Sequence, residues 1–107
     1  MGSTPTGIAF DGSNIWVANY DSSNVTKLRG SDGANLGSFP VTNPEGVTFD
    51  GANIWVSNNI LNTVTKLRAG DGANLGSLTV GNAPRAIAFD GQHIWVTNFS
   101  GNTVSKR

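Results

Sequence analysis

Short apolar runs alternate with turn residues along the chain, and none of the runs has the spacing of an amphipathic helix. Within the first copy of the pattern they cover residues 7–10, 14–19, 24–29 and 35–41, and they are rich in Ile, Val, Phe, Trp and Thr, which favour strands. Asp11-Gly12 and Asp32-Gly33 stand between runs, and Asp-Gly next to strand-like segments is a strong hairpin signal. The pattern predicts four short strands joined by tight turns.

The same pattern occurs three times. Trp16, Trp55 and Trp95 mark the period, with spacings of 39 and 40 residues. The first two copies agree at about 23 of 37 aligned positions, so they are expected to fold alike. We divide the chain into blade-sized repeats at residues 5–43, 44–82 and 83–107, the last one without its fourth strand. We predict that residues 1–4 are a leader derived from the expression vector.

Four antiparallel strands in a repeat of about 40 residues are typical of a β-propeller blade. Both faces of the inner strands are apolar, as expected where each sheet is covered by a neighbour on either side. The sequence therefore predicts an all-β fold, a β-propeller fragment of about three four-stranded antiparallel blades. Propellers typically have four to eight blades, so we expect ring closure by oligomerisation.

The phrase from Pro5 to Asn19, followed by Asn24-Val25-Thr26-Lys27-Leu28, resembles the YVTN and NHL type of β-propeller repeat. The resemblance implies that the first strand of each blade lines the central channel and that the fourth is outermost. Proteins of this kind include surface proteins, protein-binding modules and ring-opening lyases such as streptogramin B lyase. Those lyases use a metal with His and Glu near the channel, whereas this chain has a single His93 and a single Glu45.

Composition removes several classes of function. The formal net charge is zero and the sequence contains no cysteine, so neither a nucleic-acid partner nor thiolate chemistry is expected. No apolar run approaches the roughly 20 residues that cross a bilayer, and no membrane partner is expected. We predict no cofactor, no metal site and no catalytic residue.

The copies differ most near the start of the first strand and in the loop after the second strand. Thr6, Glu45 and Arg85 occupy the first position, and residues 20–23, 59–62 and 99–102 form the loops. The resemblance places both on one rim of the channel, and binding residues commonly lie on such loops. Neutral drift on a surface is the alternative. The residues predicted to bind a ligand are Asn19, Glu45, Asn58, Arg85 and Asn98.

Other repeated side chains have a structural and a functional interpretation, and we expect the structural one for each. The aspartates before Gly12, Gly51 and Gly91 cap turns rather than bind cations. The tryptophans pack between blades rather than stack on a ligand. The Lys-x-Arg pairs beginning at Lys27 and Lys66 form a solvated face, paired with turn aspartates, rather than a basic belt. The lone His93 is a surface residue beside a turn rather than a metal ligand.

The leading hypothesis is a non-enzymatic repeat module, engineered or excised from a larger propeller, whose activity is self-assembly. A homodimer that forms a six-bladed ring is the predicted state, because two three-blade chains fall within the usual blade number. A propeller that binds a glycan or a protein through its rim loops is the first alternative. A lyase-type enzyme is disfavoured, because no nucleophile and base converge.

Overall fold

The computed structural model describes residues 3–107, which form eleven strands and no helix. This confirms the all-β prediction. The strands are β1 (Pro5–Phe10), β2 (Asn14–Asn19), β3 (Asn24–Arg29), β4 (Asn35–Pro40), β5 (Pro44–Phe49), β6 (Asn53–Asn58), β7 (Thr63–Arg68), β8 (Asn74–Thr79), β9 (Pro84–Phe89), β10 (Ile94–Asn98) and β11 (Thr103–Lys106).

The strands form three antiparallel sheets in which each strand pairs with the next one along the chain. Blade one has the order β1-β2-β3-β4, blade two β5-β6-β7-β8, and blade three β9-β10-β11. Trp16 lies opposite Ala9 on one side and Lys27 on the other, and Trp55 and Trp95 take the same register. The strand bounds match the predicted ones to within two residues.

The turn between the first two strands of each blade is held by its aspartate. Asp11 Oδ1 accepts hydrogen bonds from the amides of Ser13 and Asn14, at 2.9 and 2.7 Å. Gly12 follows with φ of +96°, which only glycine adopts without strain. Asp50 and Asp90 make the same contacts, so the predicted turn role is confirmed.

The first strands of the three blades, β1, β5 and β9, lie side by side at the inner edge of the sheets. They approach so closely that a Cβ on Gly7 would stand 2.6 Å from the Glu45 carbonyl oxygen, and one on Gly46 would stand 2.4 Å from the Arg85 carbonyl oxygen. The absence of a Cβ on these two glycines therefore allows the inner strands to approach this closely. Ala86 has this position in blade three.

The core lies between blades rather than within one. Trp16, Ala18 and Val25 of blade one pack against Val47, Ile54, Val56 and Leu67 of blade two. A second cluster, in which Trp55 and Val64 meet Ile94 and Val96, joins blade two to blade three. Each sheet thus depends on its neighbour to remove its apolar side chains from water.

Of the residues read as a leader, Met1 and Gly2 lie outside the described residues. Thr4 takes the position held by Asn43 and Ala83 before the later blades. All three have positive φ, at 57°, 40° and 54°. The Thr4 carbonyl accepts from the Tyr20 amide as the Asn43 carbonyl accepts from that of Asn59.

Candidate functional site: two blade faces and one rim

Every blade has two apolar faces with different residues. We call the face toward the preceding blade the leading face; in blade two it carries Val47, Phe49, Ile54, Val56 and Leu67. The face toward the following blade is the trailing face; in blade one it carries Ala9, Trp16, Ala18, Val25 and Phe39. Inside the chain, the inner part of each trailing face is covered by the next leading face.

The two faces at the ends of the array have no neighbour within residues 3–107. On the leading face of blade one, Ile8 is 69% exposed and Phe10 59%, whereas Val47, at the position of Ile8, is 7% exposed. On the trailing face of blade three, Trp95 is 39% exposed and Val104 59%. Both ends therefore present surface that the fold buries elsewhere.

Polar contacts reinforce the inner edge of each internal junction. At the first, the Thr6 hydroxyl donates to the Glu45 carbonyl at 2.8 Å; at the second, the Ser57 hydroxyl donates to the Arg85 carbonyl at 2.6 Å. Thr97 stands in blade three where Ser57 stands in blade two, and its hydroxyl turns back to the carbonyl of Ala86 in its own blade, at 3.4 Å.

A buried lysine reinforces the outer part of the first junction. The Lys27 ammonium lies 5.2 Å from the centre of the Trp16 ring and donates to the carbonyls of Ala69 and Gly70 in blade two, at 3.0 and 3.2 Å. The prediction of a solvated basic face is wrong for Lys27, because its stem packs on the indole and its charge is paired with carbonyls of the next blade. It holds for Arg29 and Arg68, whose exposed guanidinium groups pair with Asp32 and Asp71.

Each tryptophan is also tied to the turn aspartate of its own blade. The indole N–H donates to the aspartate Oδ2, at 2.8 Å for Trp16 and Asp11 and at 2.7 Å in the other two blades. Burial acts to raise the pKa of Asp11, but the hydrogen bonds from Trp16 and from two backbone amides outweigh it, and the pKa is lowered. The corresponding bonds, led by that from Trp95, lower the pKa of Asp90 to about 2.

The three rim asparagines lie inside the blades. Asn19, Asn58 and Asn98 are at most 2% exposed. Asn58 Oδ1 accepts from the hydroxyls of Thr63 and Thr65, and the amides of Asn19 and Asn98 donate to side-chain oxygens on the third strand of their own blades. Their contacts fix the second strand to the third. A ligand-binding role for these amides stays a prediction.

Glu45 and Arg85 lie near the starts of β5 and β9, at the blade end that carries the loops after β6 and β10, and a ligand-binding role for them stays a prediction. Glu45 is half-buried and Arg85 is exposed, and the Arg85 guanidinium lies 4.0 Å from the centre of the Phe99 ring. The same rim carries exposed apolar side chains that were not among the predicted ligand-binding residues: Ile60, Leu61 and Phe99 are 60%, 54% and 62% exposed. The sequence signal for their exposure is that they lie in loops, outside the alternation of apolar and polar residues that marks a strand.

His93 is half-buried beside its turn. Across residues 3–107, no three histidine or carboxylate side chains gather in a group that would hold a metal ion. The same stretch has no helix with the length and apolarity needed to span a bilayer.

No family model and no curated protein matches the chain. Solved structures match closely in fold. Hydrazine synthase from Kuenenia stuttgartiensis aligns with a TM-score of 0.81 and 24% identity over 89% of this chain and 29% of its own. Virginiamycin B lyase from Staphylococcus aureus gives 0.81 and 20%, over 97% and 38% of the two chains.

BamB from Moraxella catarrhalis aligns with a TM-score of 0.79 and 13% identity, over 92% of this chain and 29% of its own. The chain thus spans about a third of the length of these neighbours. Identities this low establish the fold alone. The structural alignments show that the protein has the architecture of a β-propeller, in three successive blades.

Proposed function

We propose that this chain is a non-enzymatic β-propeller module that associates head to tail with a second copy to form a six-bladed ring. The trailing face of blade three in each copy would cover the leading face of blade one in the other. One observation carries the proposal: the repeated tryptophan is at most 9% exposed at both internal junctions, as Trp16 and Trp55, and 39% exposed at the end of the array, as Trp95.

The internal junctions supply a template for the contacts between copies. If blade three of one copy packs on blade one of the other as adjacent blades pack inside the chain, Trp95 and Val104 contact Ile8 and Phe10. Lys106 lies 5.5 Å from the Trp95 ring, as Lys27 does from Trp16, and would reach the carbonyls of Gly30 and Ser31 in the second copy. The Thr97 hydroxyl would donate to the Thr6 carbonyl of that copy.

The energetic argument rests on area. Exposed apolar patches of a few hundred Å² are near the largest that soluble monomers carry. At about 25 cal/mol per Å², covering both sides of one junction contributes several kcal/mol. A two-chain ring forms two such junctions for a single loss of rigid-body entropy, and a head-to-tail pair closes with two-fold symmetry.

The test is the molar mass of paired variants in solution. Light scattering of the unaltered chain should give about twice the chain mass of 11.1 kDa. Ile8→Glu places a charge in the proposed junction and should return the mass to that of one chain. Ile60→Glu is the matched control, because Ile60 is comparably exposed but lies on the rim. A folded monomer for the unaltered chain at micromolar concentration would refute the ring.

A second function is favoured by the rim. Two of the three loops that differ between copies carry exposed Ile60, Leu61 and Phe99, and the Arg85 guanidinium lies against the Phe99 ring. Exposed apolar side chains beside polar ones are typical of recognition surfaces. We propose that this rim binds a glycan or a protein. A glycan ligand would be supported by binding on a glycan array that Phe99→Ala abolishes and Ile8→Glu preserves. If no glycan on the array binds, the ligand is expected to be a protein.

A further inference from the structure

The outer part of the trailing face of blade two is open, although the equivalent part of blade one is closed. Trp55, Lys66 and residues 75–78 line a cleft of about 190 Å³, which we call the notch. Leu78 is 45% exposed there. The Lys66 ammonium lies 5.4 Å from the centre of the Trp55 ring, and no carbonyl within residues 3–107 accepts a hydrogen bond from it.

Blade one shows what covers such a notch. Its Lys27 donates to the carbonyls of Ala69 and Gly70, which begin the turn between β7 and β8. Phe39, at the position of Leu78, contacts Gly72 in that turn so closely that a Cβ on Gly72 would stand 2.3 Å from the ring. Gly72 has φ of +75°. The covering element is thus a glycine turn with two carbonyls directed at a lysine.

A second feature continues from the notch. Strand β11 is the edge of its sheet, whereas β3 and β7, its counterparts, pair with β4 and β8. Val104 in β11 is 59% exposed, although Val25 and Val64 are fully buried at the same position. A strand edge with unpaired backbone groups and an uncovered apolar side chain accepts an added strand.

We propose that the notch and the edge of β11 form one binding site for an extended segment with the chemistry of residues 69–80. The turn of that segment would fill the notch and place two carbonyls on Lys66. Its following strand would pair antiparallel with β11 and cover Val104. This site shares only Val104 with the proposed ring contacts, because head-to-tail association leaves both the notch and the backbone edge of β11 free.

The probe is a synthetic peptide of residues 69–80, titrated into the full chain. We expect saturable binding, a shift of the Trp55 indole N–H resonance, and at least about tenfold slower exchange of the β11 amides, since pairing protects backbone N–H groups. The control peptide carries Gly72→Val, which adds a side chain where blade one has no room. Equal binding of both peptides, or no saturable binding, would overturn the proposal.

Two protein variants locate the site. Lys66→Met keeps the stem on Trp55 and removes the ammonium, and it should weaken peptide binding about tenfold or more. Arg29→Met removes an exposed cation from blade one and should leave binding unchanged. Equal weakening by both would overturn the assignment of the notch. The assignment would also be overturned if, without peptide, the β11 amides became protected from hydrogen exchange as the protein concentration rises, because another copy would then occupy the edge.

The Ile8→Glu chain separates this site from the ring. That variant is expected to be monomeric and to bind the peptide as tightly as the unaltered chain. If it loses peptide binding while remaining folded by circular dichroism, the site requires the assembly and the proposal is wrong. If the unaltered chain is monomeric and still binds the peptide, the ring fails and this inference stands.

Discussion

Trp16 and Trp95 occupy the same position in the first and third blades, yet their surroundings differ. Both donate the indole N–H to an aspartate in their own blade, at 2.8 and 2.7 Å, and both lie under a lysine. Trp16 is fully buried, while Trp95 is 39% exposed. The aspartate and lysine contacts are the same, so the difference comes from the fourth strand, whose Phe39 packs on Trp16, and from the blade that follows. Neither has a counterpart beside Trp95 within residues 3–107.

This comparison separates what a blade does alone from what it does in an array. The turn, the strand pairing and the Trp–Asp hydrogen bond are complete within about 40 residues, whereas the burial of apolar surface requires the next blade, as in other repeat proteins. Stability should therefore be concentrated at the junctions. The two end faces should be the places where a change alters association more than folding.

The largest effect is expected from removing the tryptophan at a covered junction. Trp16→Ala should lower the free energy of unfolding by about 3–5 kcal/mol, because it removes a fully buried indole and leaves a cavity. Trp95→Ala should cost clearly less in dilute protein. Urea unfolding followed by circular dichroism measures both.

Protein concentration sharpens this contrast. If copies associate through Trp95, the cost of Trp95→Ala should grow as the unaltered protein is concentrated, since association adds to its apparent stability. Equal costs for the two variants at every concentration would mean that Trp95 is as well covered as Trp16, and the contrast between ends and junctions would be lost.

A smaller effect is expected at the inner edge. Gly46→Ala sets a Cβ against the Arg85 carbonyl, at a distance of 2.4 Å before relaxation. Such overpacking costs typically about 1–3 kcal/mol, measurable as a lower urea midpoint.

Ala86→Gly is the reverse change at the end of the array, and it should strengthen association of copies by allowing the inner strands to approach as they do inside the chain. Weaker association of Ala86→Gly would contradict the template taken from the internal junctions.

The smallest effect concerns pH and should not distinguish ends from junctions. Asp11, Asp50 and Asp90 all have lowered pKa values in the folded chain, Asp90 at about 2 against an ordinary 3.8. Their contribution is complete above pH of about 4 and is lost as the pH falls toward about 2, where the folded carboxylates take up protons. Urea midpoints measured across this range should fall. Asp50→Asn should flatten the decline, and Glu45→Gln, which is outside the Trp–Asp contacts, should not.

The strands, the turns and the blade architecture follow from the sequence because each depends on contacts between near neighbours. Asp11 and Trp16 are five positions apart, and the hairpin turns are marked by Asp-Gly. The burial of Lys27 could not be predicted in this way, because its partners Ala69 and Gly70 lie more than 40 residues further along the chain. A lysine in an apolar strand usually faces water. The repeat also concealed that Lys66 and Lys106 have different surroundings from Lys27.

The rim was predictable in place but not in chemistry. Variation between copies pointed to Glu45 and Arg85, which lie at the loop end of the blades because position along a strand fixes which end a residue occupies. A ligand-binding role for them stays a prediction. It gave equal weight to Asn19, Asn58 and Asn98, whose side chains are enclosed by the second and third strands. An asparagine at the end of a strand satisfies the backbone and hydroxyl groups around it as readily as it meets a ligand, and only the three-dimensional contacts distinguish the two.

The connectivity of the sheets has a consequence for how the chain folds. Within each sheet of residues 3–107 the strands pair in sequence order, and the main contacts between sheets join adjacent blades. The entropy of closing long loops is therefore small for an all-β protein, and folding rate falls as the mean sequence separation of contacts rises. Hairpins should form first, and docking of a second blade should be the step that commits the chain. Refolding kinetics should thus respond more to Trp16→Ala than to changes in the outer strand β8.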